Sequence, residues 1–185
     1  MADSALTKRV LADALKELMQ KKPLAKISVG DITAHCGINR QTFYYHFKDK
    51  YDLVAWIYST ETLEFMSSFS DRAHWADGIC ELCLYMQANK KFYINALSTP
   101  GQNSFEEYFT QFLQGLVTAL IDESAVGGRL SAEDKEFIAD FYSFAFVGLV
   151  MKWARGGMRE DPHHYVDHIK DLVDGSMMRV LDKYR

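Results

Sequence analysis

Residues 27–53 read Ile27-Ser-Val-Gly-Asp-Ile-Thr-Ala-His-Cys-Gly-Ile-Asn-Arg-Gln-Thr-Phe-Tyr-Tyr-His-Phe-Lys-Asp-Lys-Tyr-Asp-Leu53. Ser28-Val-Gly-Asp31 has the spacing of a capping box, with Asp in place of the usual Glu. It predicts a short helix that buries Val29, Ile32 and Cys36. Gly37 suits a left-handed residue at the end of that helix. Asn39 is a good N-cap for a second short helix over 40–46. Two helices of about two turns, joined by a short turn carrying glycine, make a helix-turn-helix.

The apolar residues Ile27, Ile32, Ile38, Phe43 and Phe47 can lock this pair against an earlier helix. The second helix then presents Arg40, Gln41, Thr42, Tyr44, Tyr45 and His46 outward. A recognition helix lies in the major groove of double-stranded DNA with its first residues on base edges. Arg40 suits guanine, Gln41 adenine and Thr42 a thymine methyl. Tyr44, His46 and Lys50 suit phosphates and would set register. At Ser28 the start of the first helix offers backbone N–H groups to a phosphate. Helix-glycine-helix is also common in ordinary bundles. What argues for DNA is the outer surface: two tyrosines with Arg, Gln and His, and no acidic residue.

Working outward, the chain reads as helix nearly throughout. Leu6, Val10, Leu11, Ala14, Leu15, Leu18 and Met19 form an apolar stripe at helical spacing, closed by Lys21, Lys22 and Pro23. Asp49-Lys-Tyr-Asp52 starts a helix running to about Phe69. Further helices are expected at about 75–88, 90–97, 104–123, 132–157 and 163–184. The fold expectation is all-α, about nine helices, with a three-helix DNA-binding head over 1–48 and a helical dimerisation and effector or partner domain over 49–185.

Charge divides along the same line. Residues 1–50 hold nine Lys/Arg against five Asp/Glu, and residues 51–185 hold twelve against twenty. A basic head on an acidic body suits a nucleic-acid binder with a separate partner domain. The first ten residues carry charge with no apolar stretch behind them, so no signal peptide is expected. No run is expected to reach the roughly 18 apolar residues of a membrane span, so neither a membrane partner nor an extracytoplasmic location is expected. Three cysteines, Cys36, Cys80 and Cys83, make no disulfide framework and suggest a reducing cytoplasm. There is no P-loop, no G-x-G-x-x-G after a strand, no G-x-S-x-G and no H-E-x-x-H. Neither an enzyme nor a cofactor is expected.

Residues 27–53 resemble the signature of TetR-type transcriptional regulators. That resemblance implies an all-helical homodimer on a palindromic operator, and a C-terminal bundle that usually holds an effector pocket. It implies phosphate contacts at Tyr44, His46 and Lys50, and base reading at Gly30, at Arg40 to Thr42 and beside Tyr45. Gly30 departs from relatives with Arg there, since it has no side chain to read with. Asn89-Lys-Lys-Phe-Tyr-Ile-Asn-Ala-Leu97, Gly101-Gln-Asn-Ser-Phe105 and Phe146-Val-Gly-Leu-Val-Met-Lys-Trp153 are similar to the subgroup with regulators of dihydroxyacetone kinase operons. The same subgroup is similar to a zinc-responsive member of the family. It implies an activator working with a kinase-like co-activator protein.

The C-terminal body gives softer signals. Tyr85, Asn95, Gln102, Asn103 and Tyr142 are the polar candidates for an effector pocket among apolar walls. The segment Phe137–Trp153 is apolar nearly all round, so a partner helix is expected on Phe141, Ala145, Gly148, Leu149 and Lys152. Ile169, Leu172, Val173 and Met177 on the last helix would complete an intersubunit four-helix bundle. Cys80 and Cys83, and His164 and His168 beside His163, have two-ligand spacings that keep a zinc or small-ligand sensor as the alternative. Buried structural thiols and a histidine-covered surface explain them more simply.

Overall fold

The structure, a computed structural model, describes residues 2–66, 74–99, 104–124 and 128–182. Among the described residues every regular element is helical. The order is α1 (Ala2–Met19), a 3₁₀ turn (Leu24–Lys26), α2 (Val29–Cys36), α3 (Arg40–His46) and α4 (Lys50–Met66). It continues with α5 (Trp75–Ala88), α6 (Lys90–Leu97), α7 (Ser104–Asp122), α8 (Ala132–Arg155) and α9 (Pro162–Asp182). The expected end of α4 near Phe69 lies outside the described residues.

Packing divides the chain into two compact units: residues 1–62 with 89–105, and residues 63–88 with 106–185. Neither boundary falls at residue 48. The reason is that α4 buries Leu53, Val54, Ile57 and Tyr58, and α6 buries Phe92, Tyr93 and Ala96, within the unit that holds the helix-turn-helix.

In the first unit α1 buries Leu11, Ala14, Leu15 and Met19. Leu6 stays exposed, against expectation. At about 100° per residue, five positions place Leu6 well round the helix from Leu11, off the buried face. The 3₁₀ turn was not legible in the sequence. It is held by Asn95 of α6, whose Oδ1 accepts from Leu24 N–H at 2.8 Å. Asn95 Nδ2 donates to the carbonyls of Met19 at 3.1 Å and Lys22 at 2.9 Å. A second tie joins three helices: Glu61 takes Lys16 Nζ at 2.5 Å on Oε1 and Tyr93 Oη at 3.1 Å on Oε2. Beneath it Tyr58 stacks on Tyr93 at 5.8 Å and meets Phe105 edge-on at 4.7 Å. Burial pushes the Tyr58 phenol far above its ordinary range, with Glu61 adding to the effect.

In the second unit α5 packs on α9, and α8 buries Ile138, Tyr142, Phe146, Val147, Val150, Met151 and Trp153. Trp75 of α5 meets Phe146 edge-on at 5.4 Å. α8 is long and apolar enough to cross a membrane by length and composition, which corrects the expectation that no segment reaches that threshold. Asp140 and Lys152 break its apolar run without lowering the average enough. The buried face of α8 is that of a core helix in this unit. The helix stops two residues before the expected end because Gly157 turns left-handed at φ 89° and Met158 follows at φ 50°. Pro162 opens α9, where its missing N–H leaves no helical partner short.

Asn95→Ala should therefore destabilise the first unit by about 2–3 kcal/mol, since it strands one N–H and two carbonyls. Asn95→Asp keeps the acceptor but sets a carboxylate against two carbonyl oxygens, and should cost at least as much. Thermal melts followed by circular dichroism measure both. An unchanged Tm would mean that the turn is held by something else.

Candidate nucleic-acid interface

The start of α2 is fixed locally. Ser28 Oγ accepts from Asp31 N–H at 3.1 Å, and Asp31 Oδ2 accepts from Ser28 N–H at 2.8 Å. The capping box expected from the sequence is present, with Asp in the fourth place. Lys22 Nζ lies 3.3 Å from the same carboxylate oxygen. The Ser28 hydrogen bonds, from backbone and then side chain, hold the Asp31 carboxyl below its ordinary range, and Lys22 adds to them. Ser28 N–H is thus already engaged, so the phosphate donors left at this end are those of the residues after it.

α2 ends as expected. Gly37 is left-handed at φ 72°, and Ile38 N–H reaches back to Thr33 O at 3.0 Å. This left-handed residue re-aims the chain without a Cβ penalty. Asn39 Oδ1 then caps α3 by accepting from Thr42 N–H at 2.7 Å. The inner face of α3 is Phe43, fully buried, with Phe47 just past its end. Phe47 meets Phe43 at 5.9 Å and Trp56 of α4 at 5.9 Å, with Lys8 of α1 over both rings. The role of Lys8 left no signal in the sequence, because nothing local pairs position 8 with position 47.

The outer face of α3 carries Arg40, Gln41, Tyr44 and Tyr45, all exposed, with Thr42 and His46 half-buried. Tyr45 is 83% exposed and Tyr44 57%, high values for aromatic side chains. His46 packs edge-on to Tyr45 at 4.9 Å. No acidic residue lies in the first turn.

Lys50 departs from expectation. Its ammonium donates to the carbonyls of Leu24 at 2.8 Å, Ala25 at 3.2 Å and Ile27 at 2.7 Å. All three of its N–H donors are therefore engaged on the 3₁₀ turn and the chain after it. Burial lowers its pKa from the ordinary lysine value, while Asp31 and Asp49 pull it back up. A phosphate contact would have to displace one of these carbonyls.

This surface and fold match known proteins. The model described as bacterial regulatory proteins, tetR family, matches residues 11–57, and a transcriptional regulator C-terminal region matches residues 73–175. The chain belongs to the TetR family of transcriptional regulators. It is 29% identical over 151 residues to the dhaKLM operon transcriptional activator DhaS of Lactococcus lactis, covering 80% of each chain. A solved structure of a dihydroxyacetone kinase operon activator DhaS superposes with TM-score 0.67 at 23% identity, covering 98% of this chain and 99% of that one. NalD of Pseudomonas aeruginosa, the secondary repressor of the MexAB-OprM efflux pump, has the same fold with TM-score 0.62 at 20% identity, covering 91% and 94%.

In this TetR-family chain the expected effector-pocket residues that are described fall in both compact units. Asn95 lies in the first unit with its amide wholly engaged on backbone, so it is a structural tie. Tyr142 lies on α8 with its hydroxyl 2.9 Å from Ser176 Oγ. Tyr85 is half-buried on α5, and Gln102 and Asn103 lie outside the described residues. Between α8 and α9 runs an apolar groove of about 170 Å³. Phe141, Ala145, Leu149, Ile169, Leu172 and Val173 line it, all of them expected dimerisation residues. Gly148 and Lys152 are exposed on the same helix. The side chain of Met177 lies outside the described residues.

Among the described residues no group of three or more His, Cys, Asp or Glu is arranged to hold a metal. Cys80 Sγ lies 3.2 Å from His163 Nδ1, tying α5 to α9. Burial pushes the Cys83 thiol up to about 12 and raises Cys80 as well. Thiolates, the form that binds metal, are therefore disfavoured at both. His164 and His168 stand with rings 4.2 Å apart on the exposed face of α9.

Lys50→Ala should lower the Tm of the first unit, at a cost of roughly 1–2 kcal/mol for its charged hydrogen bonds. Tyr44→Ala should leave Tm unchanged. Weaker DNA binding by Lys50→Ala with no change in Tm would restore the ammonium to a phosphate.

Proposed function

We propose that this TetR-family regulator works as a homodimer on a palindromic operator, with α3 of each subunit in the major groove. The outward face of α3 carries this reading, with base-edge donors at its start, two bare tyrosines and no acidic group. Arg40, Gln41 and Thr42 read bases and Tyr45 adds contact area beside them. Tyr44, His46 and the N-terminus of α2 after Ser28 hold phosphates. Lys50 acts through the shape of the head.

The groove between α8 and α9 supports the dimer. Phe141 is 61% and Leu172 70% exposed at its rim, and Phe137 and Phe144 are also bare on α8. So large an apolar face on a single chain suits a second copy. Small residues Ala145 and Gly148 leave room for a close helix approach. Two recognition helices on one face of the duplex are about 34–36 Å apart or a multiple of that. A signal at the C-terminal unit that changes this separation changes operator affinity. The likeness to the dhaKLM activator supports control of a dihydroxyacetone kinase operon, with a co-activator protein or small molecule as the signal. The cytoplasm is where this operates.

Selection of bound fragments from random duplex DNA tests the reading. The expected outcome is a two-fold symmetric consensus. Arg40→Ala should relax one position of each half-site at a cost of roughly 1–3 kcal/mol, while Tyr44→Ala should weaken all sequences about equally. Recovery of unrelated sequences without symmetry would reject the proposal.

Phe141→Glu should convert the dimer to monomer at micromolar concentration, because it would bury an unpaired carboxylate in the joint. Sedimentation velocity reads this directly. Helical content should hold, since Phe141 packs mostly outward in the single chain. A dimer that survives the change would place the interface elsewhere.

A further inference from the structure

Gly30 stands in ordinary helical backbone in the first turn of α2, where no left-handed angle requires glycine. What occupies the space beside it is the side chain of Arg40. A methyl group on Gly30 would fall 2.2 Å from Arg40 Nη2, 3.1 Å from Cζ and 3.3 Å from Nε. The guanidinium of the first residue of α3 therefore brings its Nη2 edge against α2, in the volume a side chain at position 30 would occupy. Nothing else in the described residues holds it. Arg40 makes no hydrogen bond or ion pair there, so its five donors stay open. The one acid of α2, Asp31, does not draw it in, because Ser28 and Lys22 already engage that carboxylate.

We infer that Gly30 is a specificity-determining position: by carrying no side chain, it seats the Arg40 guanidinium against α2 and so sets which base pair Arg40 reads. The inference rests on the proposed reading of DNA by α3 and goes beyond it. A guanidinium discriminates guanine only when its planar fork meets O6 and N7 together. A long, exposed side chain loses that advantage if it must be ordered at the moment of binding. The bare backbone of Gly30 leaves open a position of the guanidinium against α2 that any side chain there would close. One arginine thus covers ground that two residues on two helices would otherwise share.

The experiment compares the full-length protein with Gly30→Ala, Arg40→Ala and the double variant. Affinity is measured on operators carrying each of the four base pairs at every half-site position. Gly30→Ala should fold with a Tm no lower than the parent, because alanine favours a helix and only a flexible side chain must move. It should reduce discrimination several-fold at the position that Arg40→Ala also relaxes, and at no other. In the Arg40→Ala background the glycine change should do nothing further. Unchanged base preference in Gly30→Ala overturns the inference. So does a uniform loss on all sequences, or an equal effect with and without Arg40, since either would mean that glycine serves close approach of the duplex. If Arg40→Ala itself relaxes no position, the reading beneath fails first, and that result is visible without any change at Gly30.

Discussion

A seven-residue helix does not persist by itself in water, because the cost of its first turn is never recovered over so short a length. α3 is such a helix. Its form is imposed from behind by the buried Phe43 and Phe47, with Phe47 against Trp56 and under the ammonium of Lys8. Everything that faces outward depends on that burial. Under the proposed function, the exposed Arg40, Gln41 and Tyr45 are then free to serve recognition. This is why an 83%-exposed tyrosine is tolerated there. The local devices, Gly37 in the turn and Asn39 at the cap, fix direction and start. They would not by themselves supply stability.

The same dependence explains why residues 89–105 pack with the head although their chain neighbours on both sides belong to the other unit. α6 is only eight residues long and also needs a surface to lie on. It finds it on α1, and Asn95 fastens it to backbone atoms of Met19, Lys22 and Leu24. The same 3₁₀ turn is gripped from another side by Lys50, at the start of α4. Helices α1, α4 and α6 share a further tie through Lys16, Glu61 and Tyr93. α6 is therefore tied directly to the turn that precedes α2 and α3. Under the proposed function, a signal that reaches residues 89–105 needs no further joint to reach the DNA-binding surface.

Local and periodic features were legible in the sequence; non-local ones were not. The capping box at Ser28, the left-handed Gly37 and the Asn39 cap each depend on residues within four positions, and each appears where its spacing placed it. The bounds of α5 and α6 follow from periodicity and match. Leu6 misled because an apolar count along a helix does not say where the stripe is centred. Lys50 and Asn95 suit ligands by residue type, a lysine for a phosphate and an amide for an effector. In the structure both bond backbone groups in and beside the 3₁₀ turn, 23–26 and 71–76 residues away. Backbone partners leave no residue-type pattern to read, so no spacing rule could have found them. Gly30 showed only as a missing side chain, and its meaning required the path of Arg40.

The basic excess of the first fifty residues overstates the charge available to DNA. Of its nine Lys/Arg, Lys16 pairs with Glu61, Lys22 with Asp31, and Lys50 is held by three carbonyls. Lys8 lies over the rings of Phe47 and Trp56. Much of the positive charge is thus structural, building the turn and the joints that aim α3. The salt dependence of binding scales with phosphates neutralised rather than with net charge. Under the proposed function, a head of this kind leans less on counterion release than its composition suggests, and more on neutral contacts from Tyr44, Tyr45 and Gln41. Neutral contacts reach only a short distance and tolerate little misplacement. That returns the burden to the geometry of a two-turn helix, and to the phenylalanines behind it.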